Sequence, residues 1–248
     1  FEKSDFKATG EPSADEMALL KSLKSEVPKA AFEAAVMQPV SDGSGHDRSL
    51  LKKAYDLLGE AGWVRKGEFL EKDGEKLTVE IMINSSALER ALSGFIQNLR
   101  SLGIGATMRL VDPAQYQSRL TDFDFDMTMI AMRFSATPTS ESLGQFFSSG
   151  SAKRDGSYNL SGVTAPIYDE LLTHIRAAKS RAELITVMRV LDRVERARLD
   201  WIPNWYSANH RVAYWDMFGF VKPKPDYGWP VESLWWYDAE KAKAIGKA

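Results

Sequence analysis

One passage restricts the possible folds more than any other. Residues 76–83, KLTVEIMI, read as a buried strand, residues 86–102, SALERALSGFIQNLRSL, as an amphipathic helix, and residues 104–111, IGATMRLV, as a second strand. Leu88, Leu92, Phe95, Ile96, Leu99 and Leu102 recur at three- and four-residue spacing and define the core face of the helix, with Gly103 as its stop. Strand, helix and strand with short connections make a βαβ unit, which demands a parallel pair and a right-handed crossover. The fold class that follows is α/β (α+β), with helices flanking a mixed sheet.

The neighbouring segments extend this frame. PSADEMALLKSL has Ser13 as a helix cap and Glu16 at the reciprocal capping position. QPVSDGSGHD, residues 38–47, reads as a surface loop. From Arg48 a helix is expected on Leu50, Leu51, Ala54, Leu57, Leu58 and Ala61, ended by Gly62. Asp112 followed by Pro113 starts a short helix, with a cap and then proline at its first position. FDFDMTMIAM, residues 123–132, reads as a third strand. Residues 133–162 show no period, which is long for a loop inside a compact domain and marks a functional or disordered segment. Helices follow over 166–179 and 181–199, the second opened by Ser180 and Glu183 and carrying Leu184, Val187, Leu191 and Val194 inward. An extended aromatic segment and a proline-punctuated tail from Val221 complete the chain.

Most chemistry is excluded by what these residues lack. Cysteine is absent, which removes disulfides, thiolate metal sites and thiol nucleophiles together. His46, His174 and His210 lie far apart, and no H-E-x-x-H or G-x-S-x-G pattern occurs. No metal or cofactor is expected. GIGATM, at 103–108, follows a helix and enters a strand, the reverse of a pyrophosphate loop. Asp122, Asp124 and Asp126 alternate without the glycine and distal glutamate of a calcium loop, so a solvated strand edge is the expected reading. The net charge of −2, with scattered basic residues, gives no nucleic-acid footprint. No apolar run reaches the ~18 residues of a membrane span. A chain that starts at Phe1 is expected to be a fragment or processed product, so the lack of a secretion signal excludes no compartment.

What remains is aromatic surface. Six of the seven tryptophans lie between Trp201 and Trp236. Rings stack on apolar or planar parts of a ligand while a few polar groups fix its orientation. Trp205 and Tyr206 follow Pro203 on an extended segment, so one is expected to enter the core while its neighbour faces a cleft. Core filling alone does not account for so many rings, and an interface with a ligand or with another part of the protein is expected.

The order of these elements resembles the C-terminal part of the extracellular solute-binding proteins, family 5, of ABC importers. LLKKAYDLLGEAGW is similar to a family helix ending in A-G-W. LTVEIMI, GFIQNLRSLGIGATMRLVDPAQYQSRL and FDFDMTMIAM are similar to the family's βαβ passage. YDELLTHIRAAKSRAELITVMRVLDRVERARLDWIPNWY looks like its paired helices running into the strand that crosses back, and MRFS, DGSYNLSG, IPNWY and RVAYWD look most like the branch importing oligopeptides and microcin C-like conjugates. The resemblance implies a lobe of the periplasmic-binding-protein type II kind over residues 1–204. It implies a hinge crossing near Trp205 to His210 and an aromatic tail, within 205–248, packed on an N-terminal lobe absent from this sequence. It also implies a periplasmic or membrane-associated extracytoplasmic monomer that binds an oligopeptide or peptide-like ligand and delivers it to permease subunits. Arg133, Phe134, Ser135, Tyr158, Asn159, Trp205 and Tyr206 are the ligand-binding residues so implied. Many peptide-binding relatives carry an aspartate after the third strand for the peptide's α-amino group; here MRFSATPTS has Arg133 and no acid before Glu141. An arginine there suits a carboxylate or phosphate in a bidentate grip, or else a structural ion pair at a strand end. Two other classes stay open: an α/β hydrolytic or transfer enzyme, and an adaptor docking through its aromatic tail.

Overall fold

The computed structural model describes residues 1, 4–207, 211–222 and 230–247. Residues 208–210, which include His210 of the expected crossing, and Trp229 of the tail lie outside the described residues. The chain divides into two units. The first runs to Arg133 and resumes over Pro138–Ile202; the second takes Phe134–Thr137 and the residues from Pro203 on.

The first unit opens with α1 (Ala14–Ser22), where the Ser13 hydroxyl accepts the Glu16 N–H. Glu16 does not return the bond. Its carboxylate is buried and takes Arg193 Nε at 2.7 Å, because a charge removed from water needs a charged partner more than a cap. In α2 (Arg48–Glu60) Asp47 caps the start, and Gly62 follows at φ 89°, as the pattern requires. The apolar stripe of this helix is only half covered: no residue of α2 is buried, and Leu57 is exposed. An antiparallel meander, β1 (Val64–Lys66), β2 (Phe69–Lys72) and β3 (Glu75–Lys76), precedes the βαβ unit.

That unit is β4 (Thr78–Ile83), α3 (Ser86–Ser101) and β5 (Gly105–Leu110), followed by α4 (Pro113–Thr121) and β6 (Met127–Thr128). Strand order is β5-β4-β6, every pair parallel, with Ile81 opposite both Met108 and Met127. Parallel and antiparallel pairing are therefore both present, in separate sheets. Side chains alternate along β4 to opposite faces. Ile81 and Ile83 pack with Leu92, Ile96 and Ala106, while Met82 packs with Val111, Tyr116 and Leu120. Phe95, at the margin of the α3 stripe, is exposed rather than in the core.

The third strand is shorter than its apolar run suggests. Phe123 adopts a left-handed φ of 55°, and the Asp126 carboxylate accepts the Glu80 backbone N–H at 2.9 Å where a ladder bond would otherwise form. Asp124 is held by Arg119 Nε at 2.9 Å, and Asp122 closes α4. The acidic triplet is thus a tied turn, not a strand edge.

The aperiodic stretch holds α5 (Ser140–Phe147), closed by reciprocal bonds between Thr139 and Ser142. Two helices complete the unit, α6 (Pro166–Ala177) and α7 (Arg181–Arg198). Leu184, Val187, Leu191 and Val194 are buried as their spacing requires, each worth about 1.5–3 kcal/mol against exposure. Arg193 on the same helix is also sealed from water. Beyond Glu16 it donates to the carbonyls of Thr9, Gly10 and Glu33, which ties residues 9–33 to α7.

In the second unit the residues between Pro203 and Trp215 that are described form no regular element. The tail is more regular than its prolines suggest, with β7 (Phe218–Phe220), α8 (Val231–Leu234), β8 (Trp235–Tyr237) and α9 (Ala239–Ala244). β7 and β8 pair antiparallel, with Gly219 opposite Trp236. A Cβ at Gly219 would fall 2.4 Å from the Trp236 indole, so only glycine leaves room for that ring.

Candidate functional site

All three parallel strands point their carboxyl ends to one edge, where open α/β sheets commonly hold ligands. Arg133 lies five residues past the end of β6 on that side of the chain path. It is exposed and makes no ion pair or hydrogen bond among the described residues, so the alternative of a structural salt bridge has no partner there. Glu141, the first acid downstream, is within 3.6 Å of Arg176 and belongs to the start of α5. Phe134 and Ser135 fall in the second unit; Phe134 is half-buried, and the exposed Ser135 accepts the Thr137 N–H.

The loop after α5 holds the next two expected residues, in opposite roles. Asn159 is completely buried. Its amide nitrogen donates to the Ser148 carbonyl, the Ser151 hydroxyl and the Val163 carbonyl, and its oxygen accepts the Val163 N–H. Backbone groups in a sealed loop need partners, and this side chain supplies them, leaving no atom for a ligand. Asn159 is therefore the tie of the loop and not a contact residue. Tyr158 is half-exposed, stacked on Phe146 with ring centroids 5.4 Å apart.

Behind that loop runs a column of rings. Phe147 stacks on Trp201 at 5.0 Å and on Tyr168 at 5.3 Å, and Trp201 Nε1–H donates to the Ser161 hydroxyl at 3.1 Å. Trp201 thus serves the first unit's packing. Tyr168 Oη meets two carboxylates, Glu195 Oε2 at 2.6 Å and Asp200 Oδ2 at 2.7 Å. Burial pushes the Glu195 carboxyl up to about 7; the Tyr168 hydrogen bond opposes the shift and the Asp200 charge adds to it. Burial first, then the same carboxylates, pushes the Tyr168 phenol far above its ordinary range, so it stays a proton donor. Sequence reasoning did not pick out this triplet, since its members lie 27 and 32 positions from Tyr168.

In the second unit Trp205 and Tyr206 are 66% and 54% exposed. The expected division, one ring in the core and one outside, does not occur. The unit's inward packing is done by Trp235 instead, edge-on to Tyr214 at 4.8 Å and tilted on Phe220 at 5.0 Å.

A polar cleft of about 390 Å³ lies between α5 and α6, lined by Ser140, Gly144, Arg154, Asp169 and Arg176 among others; none of the seven expected residues borders it. Among the described residues no three histidine or acidic side chains gather as metal ligands, and no helix is long and apolar enough to cross a membrane. His46 Nδ1 meets Asn98 Oδ1 at 2.7 Å and fastens the 38–47 loop to α3. An exposed arginine beyond a sheet edge and exposed rings can hold a ligand by charge and stacking, without covalent chemistry.

The family model for bacterial extracellular solute-binding proteins, family 5 Middle, matches residues 15–154. The "Probable peptide-binding protein YejA" of Agrobacterium fabrum is 35% identical over 238 residues, 95% of this chain and 39% of that protein. The chain thus spans about two fifths of the length of the curated relatives it matches. Among solved structures, a periplasmic oligopeptide-binding protein of Thermotoga maritima with mannohexaose bound aligns with a TM-score of 0.56 at 16% identity, over 83% of this chain and 40% of that one. The oligopeptide-binding protein AppA of Bacillus subtilis, in complex with a nonapeptide, aligns with a TM-score of 0.55 at 18% identity, over 75% and 38%. At these identities the likeness establishes the fold, that of the periplasmic binding proteins.

Proposed function

The chain belongs to the bacterial extracellular solute-binding proteins of family 5, and on that premise we propose that it forms a ligand-binding lobe of the peptide-binding component of an ABC importer. The ligand is an oligopeptide or peptide conjugate, held non-covalently outside the cytoplasm and passed to a membrane permease. The names of the relatives support peptides as the ligand class. Residues 1–204 act as the lobe, and 205–248 carry the crossing and the aromatic surface that meets the remainder of the protein.

The observation that carries this reading is Arg133: an exposed guanidinium without a partner among the described residues, just beyond the carboxyl end of a parallel edge strand. A planar fork of donors at that position suits a carboxylate, so the peptide's C-terminus or an acidic side chain is the group it takes. Phe134, Ser135, Tyr158, Trp205 and Tyr206 supply stacking and polar contacts, and sequence-tolerant affinity comes from backbone pairing with an extended peptide. Calorimetry of the full-length protein with a series of tri- to nonapeptides tests this. Arg133→Ala should weaken binding about tenfold or more, the usual scale for a charge-assisted hydrogen bond. Equal affinity in the two proteins would remove Arg133 from the site.

A further inference from the structure

Tyr168, Glu195 and Asp200 present a problem in proton counting. A phenol has one hydrogen, yet its oxygen lies within hydrogen-bond distance of a carboxylate oxygen on either side. If both acids were ionised, one of these contacts would press two electron-rich oxygens together with no hydrogen between them. A second proton must occupy the triplet. Arg198 decides where it sits. Its Nε donates to Asp200 Oδ2 at 2.7 Å and its Nη2 to Oδ1 at 3.2 Å, which gives that carboxylate a cation in bidentate contact. Glu195 has no cation in contact, and its buried Oε1 lacks a donor among the described residues, so the neutral acid fits there and the anion does not. The charged groups facing Glu195 are Asp192 and Arg198 from its own helix, Tyr168 from α6 and Asp200 from the exit segment.

This triplet sits where the chain leaves the first unit. α7 ends at Arg198, Leu199 turns in the left-handed region at φ 57°, Asp200 is caught by Tyr168, and the second unit begins at Pro203. A left-handed leucine is held only by its surroundings, and Asp200 is the nearest restraint. We infer that Tyr168, Glu195 and Asp200 form a proton-operated latch that fixes the segment leaving α7: with the proton on Glu195 the segment is tied down, and without it Asp200 is released with Arg198. In the closed state Glu195 donates to the phenol oxygen and the phenol donates to Asp200. After the proton leaves to solvent, two anions compete for one phenolic hydrogen. Asp200, already paired with Arg198, is the one that withdraws. Trp201, with its own bond to Ser161, remains as a second and weaker anchor.

The inference does not depend on the proposed ligand. Hydrogen exchange of peptides spanning residues 199–207 is measured in the full-length protein at about pH 5.5 and about pH 8.5, alongside Glu195→Gln, whose amide keeps a donor at every pH. The two proteins should exchange alike at the lower pH, and the wild type should exchange about tenfold faster at the higher one. A ratio that does not change with pH overturns the latch. Should the variant not fold, carbon-13 titration of the Glu195 carboxyl in the wild type decides: a midpoint near the value of about 7 supports the latch, and one in the ordinary glutamate range near 4.5 overturns it.

Discussion

In the first unit Leu143, Leu171, Met188 and Leu191 are sealed from water, as is Arg193 with its partners, whereas in the second unit Ala242 is the one fully covered hydrophobic residue among those described. The second unit nevertheless carries five of the seven tryptophans, and Trp205, Tyr206, Trp215, Trp236 and Tyr237 are exposed. The first unit's core is chiefly aliphatic with Phe147 and Tyr168 sealed inside it, whereas many of the second unit's rings lie at the surface. Exposed rings in such number are costly in water and mark a place where something else packs. The first unit should therefore respond to substitution as a folded core does, and the second as a contact surface does.

The strongest test attacks Arg193, the one deeply buried cation among the described residues. Arg193→Ala leaves buried Glu16 with only the 3.8 Å contact to Arg189 and removes a donor from each of the carbonyls of Thr9, Gly10 and Glu33. A loss of about 3–5 kcal/mol in urea unfolding is expected. A loss below about 1 kcal/mol would mean that residues 9–33 are not integral to the first unit's core, and the contrast between the units would blur.

The next effect comes from pH. Glu195 holds its proton more tightly folded than unfolded, so between its ordinary value of 4.5 and about 7 the native state binds the extra proton. Stability from this group is full below pH 4.5 and is lost as pH rises through about 7, by roughly 2–3 kcal/mol in all. Thermal unfolding followed across that range should show the decline in the wild type and a flatter profile in Glu195→Gln. The second unit has no group with a comparable shift among its described residues, so an equal decline in the variant would place the pH dependence elsewhere.

Periodicity and capping chemistry carried the βαβ passage and the long helices of the first unit, but not the β1–β3 meander or the short third strand. The βαβ passage, Asp112–Pro113 and the Ser180 cap are local signals, and the structure follows them. α5 was missed because its signal, Thr139 and Ser142 with Leu143 and Phe147, is one turn long and sits among serines and glycines. Asn159 misled for a different reason. A polar residue in a Gly- and Ser-rich loop looks available, and only the closed loop shows that its amide is consumed by Ser148, Ser151 and Val163. The Tyr168 triplet was invisible because it depends on two helices and an exit turn meeting in space. In the aromatic tail the composition signalled surface correctly, but strand pairing of Phe218–Phe220 with Trp235–Tyr237 is non-local and has no turn signature between its partners.

The smallest expected change in stability tests the other side of the contrast. Trp205→Ala and Tyr206→Ala, singly or together, should move the unfolding midpoint by no more than an exposed substitution does, about 0.5 kcal/mol. Each ring offers roughly 150–250 Å² of surface to a partner that covers it, so the same variants in the full-length protein should lose about tenfold or more in affinity for tri- to nonapeptides by calorimetry. A pair that destabilises strongly would show these rings to be packing residues, and the second unit would then be an ordinary small core. A pair that changes neither stability nor affinity would leave the exposed rings to a contact other than the ligand. Only unchanged folding together with weakened binding fits a surface whose apolar area is kept open for a guest.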